Sequence, residues 1–218
     1  MPSPQLHLAD RHSVADLRTF TARARANDDG GMRLVAAGRV LAAYVCTLRP
    51  TVLGEPVPTV LGLRTMALAE VADVDSTVAL GSMLDRLARV TDDDVVVPVP
   101  TVTVTENWAG VLPPRSGWDP VGSVMLDLLA DVARAGIVEV ARSLPDRAGA
   151  PLVSSARSAV WGRQIPGLAV PLASGAAFGA LSLGFLQPGE TGDLYVNGRW
   201  TRVSMARGHI LVRAAATF

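Results

Sequence analysis

Lysine is absent from this chain of 218 residues: all twenty basic residues are arginine, balanced by twenty acids, so the formal net charge is zero. A chain without excess charge has no global field to draw in nucleic acid or an anionic membrane. The exclusive use of arginine, alongside abundant Ala, Val, Gly and Pro, is most simply the codon bias of a high-GC bacterial genome and says little about chemistry. Cysteine is nearly absent as well. Cys46 stands alone, which excludes an internal disulfide and any site built from several thiolates. Its apolar, strand-like surroundings mark it as a small buried hydrophobe rather than a nucleophile. Histidine is limited to His7 and His12 near the start and His209 near the end, so no Ser or Cys has the histidine and orienting acid that nucleophilic catalysis requires at a recognisable spacing. No glycine-rich loop stands between a strand and a helix to cradle phosphate. The opening MPSPQLHLADRH lacks the basic and apolar regions of a signal peptide, which makes the cytoplasm the expected compartment.

What the chain has in quantity is apolar surface, 49% of residues against 18% charged, enough for a substantial core. Its most apolar stretch is a charge-free run over residues 164–187, centred on LASGAAFGALSLGFL at 172–186. Pro166 and Pro171 limit a helix there to a start at Pro171, because proline fits a first turn and breaks an interior. The roughly 16 residues before Pro188 then span about 24 Å, short of a membrane crossing. A buried helix is therefore expected and no membrane contact. Gly175 and Gly179 form a G-x-x-x-G pair, which in water signals close backbone approach to a neighbouring element.

In chain order, Ser13 with Asp16 looks like a capping box, and Val14, Leu17, Phe20 and Ala24 recur at helical spacing, predicting a helix over 13–26. Residues 32–48, with Gly38 in the middle, read as a β-hairpin, and 59–69 as a third strand beside it. Asp75 or Ser76 is expected to cap a helix to about Val90. Residues 95–105 are extended, with Pro98 and Pro100 confining them to a sheet edge. Asp119-Pro120 reads as a helix opening that runs to about Leu144, loosened at Gly136, and Pro151 opens a second helix to Trp161. After the charge-free helix, Asn197-Gly198 between β-prone flanks predicts a hairpin, with a further strand at 209–213. The fold class is thus α+β: a small antiparallel sheet with helices in residues 1–105, a Trp/Pro-rich connector at 106–120, and over 121–218 a three-helix unit closed by a β-meander.

Three helices followed by a hairpin is the order of a winged-helix module, but a third helix without charge could neither read base edges nor grip phosphates. Nucleic acid is accordingly the lesser alternative, with Arg157, Arg163, Arg199, Arg202 and Arg207 as its only source of contacts. Tryptophan and arginine recur together: Arg115 with Trp118, Arg157 with Trp161 and Arg163, Arg199 with Trp200 and Arg202. Such pairs suit an interface hot spot, or, as the runner-up, a pocket near Trp161 in a small-molecule-binding protein or an enzyme, and they suit plain packing at a core edge as well. Residues 150–218 carry six arginines against Glu190 and Asp193, a net +4, which leaves the first 149 residues at −4. Asp127 and Asp131 could pair as acid and base, but solvation beside Arg134 explains them as well, and Asp92-Asp93-Asp94 lacks the further oxygen ligands of a metal loop. The expectation is a non-enzymatic binding protein that needs no cofactor or metal. Its partner is another copy of itself or a different protein, met through Arg115, Trp118, Arg157, Trp161, Arg163, Trp200, Arg202, Arg207 and His209.

Overall fold

The structure, a computed structural model, describes residues 4–51, 55–145 and 147–215. The chain divides into two compact units, one made of Met1–Cys46 and Leu63–Leu112, the other of Thr47–Gly62 and Pro113–Phe218. It is α+β throughout, with antiparallel sheets. Among the described residues no helix is long and apolar enough to cross a membrane.

In the first unit a short strand β1 (Gln5–His7) leads into helix α1 (Arg11–Asn27). The helix starts earlier than its sequence suggests, because Asp10 is the true cap: its carboxylate accepts the backbone N–H of Ser13 at 2.7 Å, and this hydrogen bond holds its pKa below the usual carboxylate value. Asp16, read as the partner in a capping box, instead takes a hydrogen bond from Arg64 Nε at 2.6 Å. Val14, Leu17, Phe20 and Ala24 are buried at the expected spacing. Strand β2 (Gly31–Leu48) is one continuous strand and not a hairpin. Gly38 takes φ of +63° without reversing the chain, and β3 begins only at Thr59, beyond Pro50, Pro56 and Pro58, which cannot extend a ladder.

Strand β3 (Thr59–Ala79) likewise outruns its predicted end, so helix α2 begins only at Leu80 and closes at Leu87. The side chain expected to cap that helix is otherwise engaged: Asp75 receives Arg33 Nε and Nη2, both at 2.8 Å, while the Thr77 carbonyl accepts Val104 N–H. Arg33 also donates to the Ala109 carbonyl. The C-terminus of α2 is closed from α1, where Arg18 Nη2 donates to the carbonyls of Leu87 and Val90 at 3.1 and 3.0 Å, a cation placed where the last carbonyls need one. Strand β4 (Val96–Pro98) pairs antiparallel with β1, and a 3-10 turn follows at Asn107–Gly110 with Trp108 buried.

The second unit holds the end of β2, the start of β3, and β5 (Asp119–Met125), β6 (Thr191–Asn197), β7 (Trp200–Met205) and β8 (Gly208–Arg213), in the sheet order β2-β3-β8-β7-β6-β5. Asp119-Pro120 therefore opens an edge strand, where the missing proline N–H costs no ladder bond, and not a helix. Helix α3 (Leu126–Arg142) follows it, then α4 (Ala150–Trp161) and α5 (Ser174–Ser182). The charge-free run is helical over fewer residues than predicted. Ile165 N–H donates to the Leu172 carbonyl and Ser174 N–H to the Arg163 carbonyl, which holds Leu172 and Ala173 extended until Ser174. From Ser174 to Ala180 every residue of α5 is buried. The close approach expected of its glycines is present: a Cβ at Gly175 would meet Leu48 and the Trp161 carbonyl, and one at Gly179 would meet Thr47 Oγ1 at 2.8 Å. Helix α3 runs unbroken through Gly136, which is not a loosened point but the place where Trp161 enters. A Cβ there would lie 3.2 Å from Trp161 Cε3 and closer still to Cζ3 and Cη2.

Candidate interaction site

The register of β5 to β8 decides which side chains share a face, since paired residues on neighbouring strands point the same way and alternate residues point oppositely. Leu194 lies opposite Val203, and Val203 opposite Ile210. This is the helix side: a Cβ on Gly192 would meet Leu126 of α3, and one on Gly179 would meet Ile210 at 3.3 Å. The other side carries three cross-strand rows. Ser123, Asp193, Ser204 and His209 form one, Pro120, Tyr195, Arg202 and Leu211 the next, and Asn197, Trp200 and Arg213 the third.

The middle row holds the most specific geometry. Arg202 Cζ lies 4.3 Å from the centre of the Tyr195 ring and 4.6 Å from that of Trp118. Trp118 is held in turn by its indole N–H, which donates to the Pro114 carbonyl at 3.0 Å. Asn197 Nδ2 ties the same loop down, donating to the carbonyls of Ser116 and Gly117 at 3.0 and 2.7 Å. Two cation–π contacts stabilise a partly desolvated arginine by about 1 kcal/mol each. Partial burial pushes the Arg202 guanidinium down from its usual value, opposed by the Tyr195 phenol, and the group stays charged at any physiological pH. Its Nε is buried without a hydrogen-bond partner, while the residue as a whole is half-buried, so its exposure falls on other atoms.

Of the sequence-predicted residues, Trp118, Trp200, Arg202 and His209 come together on this face. Trp200 is only 6% exposed and serves as packing at its margin. His209 Nδ1 sits 3.0 Å from Ser204 Oγ, a satisfied strand histidine. The others lie elsewhere. Arg115 is exposed in the loop before β5, and Arg207 is exposed in the β7–β8 turn. Arg157 Cζ stands 5.3 Å over the Phe178 ring, and Arg163 pairs with Glu139. Trp161 is 2% exposed and stacks on Phe178 at 4.7 Å between ring centres. A shallow depression of about 200 Å³ lies in the first unit, lined by residues that include Arg11, His12, Arg18, Thr91, Asp92 and Asp94. Both of its arginines are paired, Arg18 with Asp92 of the same lining at 3.7 Å and Arg11 with the adjacent Asp93 at 3.6 Å. Asp131 is paired with Arg134 at 3.2 Å, and Asp127 accepts the Gly189 N–H, so neither is poised as an acid or base. Among the described residues no group of His, Cys, Asp and Glu converges as metal ligands would.

Sequence reasoning missed Tyr195, although the signal was available. The hairpin loop is Gly198–Arg199 rather than Asn197-Gly198, with Gly198 at φ +55°, so Asn197 pairs with Trp200 and Tyr195 falls directly opposite Arg202.

Residues 1–110 match the family described as Domain of unknown function (DUF8010). The chain belongs to that family. Residues 113–217 match a second, described as Domain of unknown function (DUF8185). No protein of curated function matches in sequence. Among solved structures the chain is similar to a protein of Eubacterium rectale assigned as a DNA polymerase III beta subunit, with a TM-score of 0.58 at 6% identity over 98% of this chain and 66% of that one. It is similar also to the DNA polymerase sliding clamp of Pseudomonas aeruginosa, with a TM-score of 0.51 at 10% identity over 99% of this chain and 66% of that one. The Helicobacter pylori beta clamp in complex with 5-chloroisatin gives a TM-score of 0.51 at 8% identity, over 99% of this chain and 64% of the clamp. The chain thus spans just under two thirds of the length of these clamps, and the likeness is one of fold.

Proposed function

We propose that this chain is a non-enzymatic binding protein on a sliding-clamp-like fold, which associates with a second copy of itself or with another protein through the open face of β5 to β8. The observation that carries this reading is the convergence of Trp118, Tyr195 and Arg202 at a half-exposed position on the side of the sheet away from the helices. Tryptophan, tyrosine and arginine are the residues on which binding energy most often concentrates, and here they are held in place by the loop bonds to Asn197 and Pro114. The clamp-like fold supports the same reading, because the clamps it resembles are named for work alongside a DNA polymerase and not for a reaction of their own.

Sedimentation velocity tests it. The chain should associate at tens of micromolar, or capture a partner protein. Trp118→Ala or Arg202→Ala should weaken that association by about 1–2 kcal/mol, roughly five- to thirtyfold. Trp161 and Trp200 are unsuitable probes, since both are core residues whose truncation would report on folding. A monomer whose behaviour both substitutions leave unchanged, and which binds no protein, would remove the proposal.

A DNA-encircling role is the second reading that the clamp fold favours. Charge speaks against it: the chain is neutral overall, and on α1 three arginines are committed, Arg11 to Asp93, Arg18 to Asp92 and Arg25 to Asp29. Nucleic-acid binding draws most of its affinity from free basic charge. Salt-dependent retention of duplex DNA by the chain would reverse this ranking.

A further inference from the structure

The interactions of Arg202 are unusual for an arginine. Among the described residues no carboxylate lies within ion-pair distance of it, and its contacts are the two aromatic rings and the Tyr195 phenol. Asp193 and Arg213 stand on its diagonals, one pair along the neighbouring strands, and neither forms an ion pair among the described residues; diagonal neighbours of this kind sit about 7–8 Å apart. Arg115, on the loop that carries Trp118, is exposed and likewise makes no ion pair among the described residues. In the rows through and beside Arg202 the face thus presents two arginines, Arg202 and Arg213, and, among the described residues of those rows, one acid, Asp193. A planar guanidinium, already partly stripped of water and held by two rings, loses little freedom when it binds a group that matches its fork, and a carboxylate is such a group. Bases of a nucleic acid strand would need the ring faces for stacking, and one face of each ring is already covered by Arg202.

We infer that Arg202 is the receptor for a carboxylate on an acidic segment of a partner protein, with Arg213 adding charge beside it. This rests on the reading of the face as a protein-binding surface and names the chemistry of what it binds.

Titrating the full chain with a hexaglutamate peptide, followed by calorimetry, tests it. Binding should weaken as salt rises. Arg202→Lys keeps the charge but not the fork, and should reduce affinity about tenfold. Asp193→Asn removes an acid diagonal to Arg202 and should strengthen binding severalfold. Circular dichroism of each variant should match the parent. No binding by the parent chain, equal binding by Arg202→Lys, or preference for a thymidine oligonucleotide over the peptide would each overturn the inference. The two readings fail separately. A chain whose association depends on Trp118 while Arg202→Lys leaves peptide affinity untouched sinks this inference alone. A strictly monomeric chain that still binds the peptide through Arg202 sinks self-association alone.

Discussion

Replacing Gly136 by alanine should destabilise the second unit, even though alanine is by about 1 kcal/mol the better residue inside a helix. The opposing effect is steric. The new Cβ would meet three atoms of the Trp161 ring, one at 3.2 Å and two closer. That ring has nowhere to retreat: it is 2% exposed, it stacks on Phe178 at 4.7 Å, and its own backbone carbonyl is packed beneath Gly175. Overpacking of this kind costs about 1–3 kcal/mol, and overlap with a rigid ring belongs at the upper end. The net loss is then about 1–2 kcal/mol, a fall in Tm of roughly 2–8 °C for a chain of this size. Trp161→Phe removes the two ring atoms nearest Gly136. Alone it should cost about 1–3 kcal/mol through the cavity it leaves. On that background Gly136→Ala should turn neutral or stabilising, because only the helix-propensity gain remains. The double-mutant cycle should therefore show a coupling of about 2–3 kcal/mol. Urea unfolding followed by far-ultraviolet circular dichroism measures all four corners. A rise in stability for Gly136→Ala in the parent chain, or additivity within about 0.5 kcal/mol, would refute the packing argument.

Further expectations concern the first unit and one turn of the second. Arg33→Ala removes a two-pronged pair with Asp75 and a hydrogen bond to Ala109, and should cost about 1–2 kcal/mol after allowance for the half-exposed carboxylate; an unchanged urea midpoint would contradict it. Asp10→Ala should lower Tm at neutral pH by loss of the α1 cap, and the pH dependence has a definite sign. The folded-state pKa of Asp10 is depressed below 3.8, so its contribution is complete above that value and disappears as pH falls through the folded pKa. The Tm difference between parent and Asp10→Ala should thus close in strong acid, and a gap that widens there would be inconsistent. Gly208→Ala places a side chain at φ +151° and against the Phe185 ring, which should cost about 2 kcal/mol or more. Wild-type stability for that variant would show that the turn relaxes.

Legibility in this chain follows the range over which each feature is determined. The stripe of α1, the proline start of α4 and the strand-turn-strand text from 191 to 213 depend on residues within a few positions of one another, and all were readable. Within that hairpin even the pairing of Tyr195 with Arg202 was implicit once the loop is placed at Gly198–Arg199. The misreadings share one physical cause. Gly38, Asp75 and Asp119-Pro120 each carry a strong local signal, for a turn, a cap and a helix start, and each is overruled by the strand structure around it. Gly38 lies inside an 18-residue strand, Asp75 is claimed by Arg33, and Asp119 pairs with Val196.

The charge-free run follows the same division. Its apolarity, its prolines and its paired glycines determined, without reference to anything else, a short helix approached closely by its neighbours. Which residues approach, Thr47, Leu48, Trp161 and Ile210, was decided only by the tertiary structure. So was the candidate site, because Trp118 reaches Arg202 from a loop far away in the chain, and the energy of that contact depends on a desolvation that no local pattern encodes.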